Sequence, residues 1–483
     1  MKVYLLNPPF VPRYSRSSRW AARCRGGALY YPIWLSYATG ALEQSGHKVR
    51  LMDAPARGWD LTTVRADVEA FGPGVVVTET NFQSLTPDLT AAQITSETAK
   101  ALSVVTGPPA THLARRMLAH QGVEVVLRGE YDLTLRDLIS ALERGNSVDS
   151  VSGITHVQNG EVVHTPDREP SSAASLDALP FVSRVYKQHL NVNDYFLSHT
   201  LYPMVQIFAG RGCPNRCTFC SWPSTLTGRK YRHRSVSSVV DEFEYVTNEL
   251  SHVKEIFIED DTFTIDTRWV HKICDEITRR RLALTWSCNA RVTLDYETMQ
   301  HMKQAGCRLL DVGYESGSDS MLTSMRKGIT TTQSREFTAN AKRAGLIILA
   351  DFIIGLPGES TGTIEQTLAF AKELKPHLVQ FAVATPIPGT EFYDWACANG
   401  CLETDDLEAS LDPHGFQRCI VSYPALQAQE IEAAVKKGLR DYYLRPMYVP
   451  IALHYVMRKN GARELANLVR SGKAFLTYLR SEP

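Results

Sequence analysis

The chain has 483 residues, 44% of them hydrophobic, with 52 basic and 52 acidic side chains. A formal charge of zero offers no basic excess for bulk nucleic-acid binding, and no apolar run approaches the roughly 20 residues of a membrane span. The start, Met1-Lys2-Val3-Tyr4-Leu5-Leu6-Asn7-Pro8-Pro9, reads as a short strand and turn rather than a secretory signal. Seven of the ten cysteines are scattered with no disulfide framework, so a reducing, cytoplasmic setting is expected.

Residues 1–145 alternate strand and helix. Strands are predicted at 2–6, 48–52, 74–78, 103–106 and 123–127, and a helix from Ile33 to Ser45 ends at Gly46. Short apolar strands separated by helices imply a parallel open sheet, whose ligands sit beyond the carboxyl ends of the strands. That rim is Asn7, the 10–30 loop, Asp53, Glu79-Thr80-Asn81, Gly107 to Thr111 and Gly129-Glu130. No G-x-G-x-x-G follows the first strand, which argues against a dinucleotide site. The 10–30 segment interleaves Arg13, Arg16, Arg19, Arg23 and Arg25 with Tyr14, Trp20, Tyr30 and Tyr31. It reads either as a solvated loop or as a lid over an anionic or ring-bearing ligand.

Residues 146–203 read as a linker with a hairpin at Asn159-Gly160. From 204 to 390, strands are predicted at 204–209, 254–260, 284–288, 308–313, 347–354 and 378–383, with helices between them. Six βα units imply a parallel partial barrel, short of the full eight. Residues 391–483 form a mainly helical C-terminal region, with helices near 427–442 and 460–480.

The most informative stretch is Gly210-Arg211-Gly212-Cys213-Pro214-Asn215-Arg216-Cys217-Thr218-Phe219-Cys220, with cysteines spaced CxxxCxxC. Thiolates this close suit zinc or iron–sulfur. Three is the wrong number for a closed zinc site unless His233 or a distant Cys completes it, and the right number for a [4Fe–4S] cluster with one open iron. The other strands also end in polar groups. They are Glu259-Asp260-Asp261, Ser287-Cys288-Asn289-Ala290-Arg291, Asp311 to Gly317, Asp351 to Glu359, and Thr385 to Thr390. In a βα barrel the carboxyl ends of strands carry the chemistry.

The trio Cys213, Cys217 and Cys220, with Phe219 before the last, resembles the radical S-adenosylmethionine (SAM) signature. The chain as a whole looks like the subclass with an N-terminal cobalamin-binding-type domain. The fold then expected is α/β: a Rossmann-like open sheet over 1–145, a (β/α)6 partial TIM barrel over 204–390, and C-terminal helices. The resemblance implies a [4Fe–4S] cluster on the three cysteines and SAM chelated to the fourth iron, with cleavage to a 5′-deoxyadenosyl radical. By position, Glu259, Asp260 and Asp261 resemble the motif that holds the methionyl amine, and Asn289 and Glu315 look like ribose or methionine contacts. Ile353, Gly355 and Gly358 resemble the adenine segment, with Phe219 and Pro386 as apolar contacts.

The stretches Gly210 to Arg234 and Val312 to Ser316 look like two narrower groups: the dehydratase that begins 3′-deoxygenation of aminoglycosides such as paromamine, and the hopanoid-biosynthesis radical SAM protein. The expected reaction is therefore radical dehydration of a diol in a sugar or aminoglycoside-like substrate of antibiotic biosynthesis. Asp351, Glu79 and Asp261 are candidate acids and bases, with Tyr314 and Asn289 orienting hydroxyls. A flavodoxin- or ferredoxin-type electron donor and an NAD(P)H-dependent reductase are the expected partners, and a cationic aminosugar suits the acidic rim. The alternatives are cobalamin-dependent methyl transfer and rearrangement of a hopanoid-linked sugar. Cobalamin stays open. The D-x-H-x-x-G histidine is absent, Pro108-Pro109 stiffen a loop that often carries Gly-Gly, and the 10–30 segment is placed to fill the crevice.

Overall fold

Residues 1–457 and 461–480 are described by the computed structural model. They divide into two units. The first comprises Met1–Cys24, Leu29–Tyr195 and Ser221–Arg234; the second comprises Arg25–Ala28, Phe196–Cys220 and the chain from Ser235 onward.

The first unit is built on a seven-stranded sheet of β1 (Lys2–Asn7), β2 (Lys48–Asp53), β3 (Val75–Glu79), β4 (Leu102–Thr106), β5 (Val125–Leu127), β6 (Ile154–Gln158) and β7 (Glu161–His164), in the order β2-β1-β3-β4-β5-β6-β7. The first five run parallel; the hairpin β6–β7 adds an antiparallel edge. All five residues of β3, Val-Val-Val-Thr-Glu, are buried, as expected of a parallel strand covered on both faces. The helices on those faces include α1 (Ile33–Gln44), α2 (Leu61–Phe71), α3 (Leu85–Ala99), α4 (Ala110–Leu118) and α5 (Tyr131–Glu143). Because β1 is flanked by β2 on one side and β3 on the other, the winding reverses between β1 and β3. That is the switch point where open sheets leave a crevice. Gly107, just past β4, has φ +117°, and a Cβ there would lie 2.2 Å from the Thr80 carbonyl oxygen, so only glycine lets the two loops meet.

The second unit holds six parallel strands: β8 (Met204–Ile207), β9 (Glu255–Ile258), β10 (Trp286–Ala290), β11 (Cys307–Glu315), β12 (Ile347–Ile354) and β13 (Leu378–Val383). They follow one another in chain order, leaving β8 and β13 as edges, which makes a partial barrel. Most of the helices between them start on side-chain caps, which satisfy the amide groups left over at helix starts. Asp266 accepts from Trp269 N, and Asp295 accepts from Thr298 N. Thr330 and Ser360 make reciprocal capping boxes. A buried ion pair, Arg308 Nε to Glu255 at 2.8 Å, ties β11 to β9. Helix Ala428–Tyr443 packs on β13 through Gly438, where a Cβ would stand 2.6 Å from Leu368 and 3.1 Å from Phe381. The last helix spans Gly461–Arg480; residue 460, where the sequence pattern starts it, lies outside the described residues.

The α/β architecture expected from the sequence is the one observed. Boundaries differ by one or two residues at an end, most at β10, which is predicted at 284–288 and found at Trp286–Ala290.

Candidate cluster and SAM site

The cysteine loop leaves β8 and is fixed at both ends by backbone bonds. At its start, Ala209 N donates to the Asp260 carboxylate at 2.8 Å, and Gly212 N donates to Asp261 at 3.0 Å. Further along, Thr218 N donates to the Met325 carbonyl and Phe392 N to the Thr218 carbonyl. Gly212 has φ +92°, which turns the chain into the first cysteine. Asn215 Nδ2 donates to Cys213 Sγ at 3.2 Å. Cys217 is buried, while Cys213 and Cys220 are partly exposed.

The donor set fits a cluster better than a single ion. Among the described residues, no three His, Cys, Asp or Glu side chains converge on an ion-sized point. A closed zinc site takes four protein ligands, whereas a cubane held by three cysteines leaves one iron open.

The acids after β9 are structural in part. Glu259 is buried and accepts from Gln206 at 2.7 Å. Asp260 is fully buried; besides receiving Ala209 N, its carbonyl accepts from Asn289 Nδ2 at 2.8 Å. Asn289 is thereby locked across the β9–β10 ends. Glu315, at the end of β11, follows a break in the ladder with β12 and has φ +66°. It receives Lys327 Nζ at 2.6 Å.

Lys327 is the residue that sequence reasoning missed. It follows a short helix, Asp319–Ser324, that no motif singled out. Burial pulls its ammonium pKa down, but the charges of Glu315 and then Cys217 outweigh that and leave it raised. A permanent cation thus sits beside the cysteine loop, next to a carboxylate. The signal available in the sequence was weak: a Met-Arg-Lys-Gly turn after an alcohol-rich helix.

Ile353 and Pro386 are buried, Phe219 is half-buried, and Gly355 and Gly358 both have positive φ. Gly355 is held from both sides, its N–H donating to Glu359 at 2.9 Å and its carbonyl accepting from Tyr423 at 2.6 Å. Burial raises the Glu359 pKa. Asp351 is half-buried on β12, in register with Gly313. Tyr314 is fully buried, stacked on Phe352, and its hydroxyl pairs with Thr338 Oγ1 at 2.7 Å. Glu79 lies in the first unit, where Tyr131 and Ser17 donate to it at 3.1 and 3.2 Å.

A cofactor with a nucleotide tail is the other group that this architecture brings into question. In the first unit the switch-point crevice is filled by the chain itself. Arg16, 2% exposed, is seated there on Asn7, Pro8 and Asp88. The residues at this edge therefore do not fit an inserted tail.

The Radical SAM superfamily model matches residues 207–371. A protein of Pyrococcus horikoshii named as an uncharacterized methyltransferase is 29% identical over 92% of this chain and 93% of its own length. The anaerobic magnesium-protoporphyrin IX monomethyl ester cyclase of Cereibacter sphaeroides is 27% identical over 92% of this chain and 71% of its own. Among solved structures, the radical SAM methyltransferase TsrM from Kitasatospora setae, with cobalamin and a [4Fe–4S] cluster bound, superposes with a TM-score of 0.73 at 18% identity, covering 99% of each chain. That likeness is one of fold.

These findings correct the narrower reading of the sequence. The similarity runs to methyltransferases and a cyclase along nearly the whole chain, not to aminoglycoside dehydratases, so a dehydratase or lyase of antibiotic biosynthesis is withdrawn. In the structure, residues of the stretches Gly210 to Arg234 and Val312 to Ser316 have local structural partners. Arg232 is a buried clamp that bonds Glu130, the Ser171 carbonyl and the Thr227 carbonyl. Glu315 pairs with Lys327, and Ser316 bonds Thr367 at 3.0 Å. These residues hold loops in place and carry no information about substrate.

Proposed function

We propose that this protein is a radical SAM methyltransferase of the group carrying a cobalamin-binding-type domain, acting on a small molecule. The observation that carries the reading is full-length similarity to a methyltransferase, joined to a three-cysteine loop inside the matched radical SAM segment. When bound, a [4Fe–4S] cluster supplies the electron for SAM cleavage, and a corrinoid, the second cofactor of this reading, supplies a cobalt centre that carries a methyl group.

The chain's own residues prepare that chemistry. Cys213, Cys217 and Cys220 ligate the cluster, and the Asp260 and Asp261 carboxylates hold the backbone that presents them. Glu259, Asn289 and Glu315 are the candidate contacts for the amine, carboxylate and ribose of SAM. Ile353, Gly355, Gly358, Phe219 and Pro386 are those for adenine. Asp351 faces the role of a substrate contact, and Asp261 that of a second. Tyr314, stacked and bonded within the core, supports the β11–β12 pair instead of meeting substrate. No helix of the described residues is long and apolar enough to cross a membrane. A reducing compartment and a flavodoxin- or ferredoxin-type donor complete the reading, because such a cluster must be kept reduced.

The test is anaerobic incubation of reconstituted protein with deuteriomethyl-labelled SAM, reductant, hydroxocobalamin and the small-molecule fraction of a host extract. A labelled methyl group in a product, with S-adenosylhomocysteine formed, supports methyl transfer. Formation of 5′-deoxyadenosine with no labelled product overturns it.

A further inference from the structure

The carboxyl edge of the first sheet holds a set of buried charges that the proposed reaction does not use. Arg16 Nε and Nη2 donate to the two Asp88 oxygens at 3.1 and 2.7 Å, with both side chains at 0% exposure. Arg16 Nη1 donates to the Pro8 carbonyl at 3.0 Å and to the Asn7 side chain. The guanidinium lies 5.1 Å from the centre of the Tyr14 ring. The backbone is tied down as well: Asn81 Nδ2 donates to the Arg16 carbonyl at 2.9 Å, and Ser17 Oγ donates to Glu79. Asn7 ends β1, Glu79 ends β3, and Asn81 follows it. The segment 14–18 therefore lies between the two strands whose winding reverses, the place where an open sheet of this kind admits a ligand.

We infer that Tyr14–Ser18 is a built-in occupant of this crevice, so that a corrinoid is taken by this protein without insertion of its nucleotide tail there. Three features of the edge converge. The volume is filled by a fully buried arginine with four of its donors engaged. The charge is wrong for a phosphodiester, since Asp53, Glu79 and Asp88 are all buried at the edge and the Arg16 guanidinium among them is already paired. The amide donors that cradle phosphate in such loops are missing after β4, because Pro108 and Pro109 have no N–H and Gly107 is packed on Thr80. The identity of the ligand rests on the methyl-transfer reading; the closure of the crevice does not.

The experiment compares two corrinoids on the full chain with its cluster reconstituted under anaerobic conditions. Hydroxocobalamin carries the nucleotide tail and diaquacobinamide lacks it; binding of each is followed by visible absorption. The expected result is equal affinity, within about twofold. The double variant Arg16→Ala/Asp88→Ala removes the guanidinium together with the carboxylate it pairs with, while Asp53 and Glu79 keep their own hydrogen-bond donors, Tyr195 and Tyr131. It should acquire a preference of about tenfold or more for the tailed form. A wild-type preference of that size for hydroxocobalamin overturns the inference, and this wild-type ratio decides the matter even where the double variant does not fold. Failure of both corrinoids to bind supports the closed crevice and removes the corrinoid from the functional reading. Equal binding without methyl transfer also supports it, and sinks the methyltransferase reading alone.

Discussion

Two parallel sheets in this chain end in acidic residues, and the two edges use them in opposite ways. At the first edge, Asp53, Glu79 and Asp88 are buried and taken up mainly by side chains: Tyr195 and Asn7 on Asp53, Tyr131 and Ser17 on Glu79, Arg16 and Ser84 on Asp88, with the Asn81 amide also on Asp88. Burial pushes these carboxyl groups up, Glu79 to about 7 and the two aspartates to about 6. At the second edge, Asp260 and Asp261 accept from backbone amides of the cysteine loop. One edge is closed on itself; the other grips the chain that carries the three cysteines. Position at a strand end is thus a necessary mark of a site in an open sheet, and not a sufficient one.

The largest test of that contrast is Cys217→Ala. Loss of one of three cluster ligands should abolish the iron–sulfur absorption of reconstituted protein and lower SAM cleavage by about a thousandfold or more. Retention of both would move the cluster elsewhere. The mirror change at the closed edge, Arg16→Ala/Asp88→Ala, should leave the iron content unaltered.

Next in size is Lys327→Met. It leaves Glu315 buried without its cation, and stability should fall by about 3–5 kcal/mol in denaturant unfolding. Adding Glu315→Gln should recover most of that loss, because the pair is then removed together. If the single variant is as stable as the parent, Lys327 does not neutralise Glu315, and its closeness to Cys217 has another meaning.

How much of this was legible beforehand follows from the kind of signal involved. The six βα units were readable because most of the strands are apolar runs and most of the helices between them open on a capping residue such as Asp266, Asp295 or Ser360. The cysteine trio was readable because its ligands are local in sequence. Lys327 was not, since its significance comes from Glu315 twelve residues earlier and from Cys217, more than a hundred residues away. Arg16 was visible as one arginine among five; only the fold brings Asn7 and Asp88 to it. The substrate was misread for a related reason, because loop-holding residues such as Arg232 resemble a family's motif without touching what that family acts on.

The closed edge also makes a pH prediction. Glu79 is raised from an ordinary value of 4.5 to about 7, first by burial, so the folded state binds this proton more tightly than the unfolded chain. Its contribution is fully present below 4.5 and is lost as pH rises to 7, at most roughly 3 kcal/mol across that window. Asp53 and Asp88 act in the same direction at somewhat lower pH. Glu79→Gln should flatten the fall in melting temperature between pH 5 and 7 (a window of about two units). An unchanged slope would place the titration elsewhere.

The smallest effect expected separates two roles for Asp261. Its carboxylate accepts from Gly212 N at 3.0 Å, directly before the first cluster cysteine. If it acts by holding that backbone, Asp261→Ala should weaken iron retention by about 10- to 100-fold under chelator challenge. Asp261→Asn keeps a carbonyl oxygen in place to accept the same bond and should stay close to the parent in that assay. If Asp261 instead works through its charge on the ammonium of SAM, the two variants should fall together in SAM affinity while both keep their iron. The alanine and asparagine proteins therefore distinguish a carboxylate that supports the cysteine loop from one that meets the cofactor.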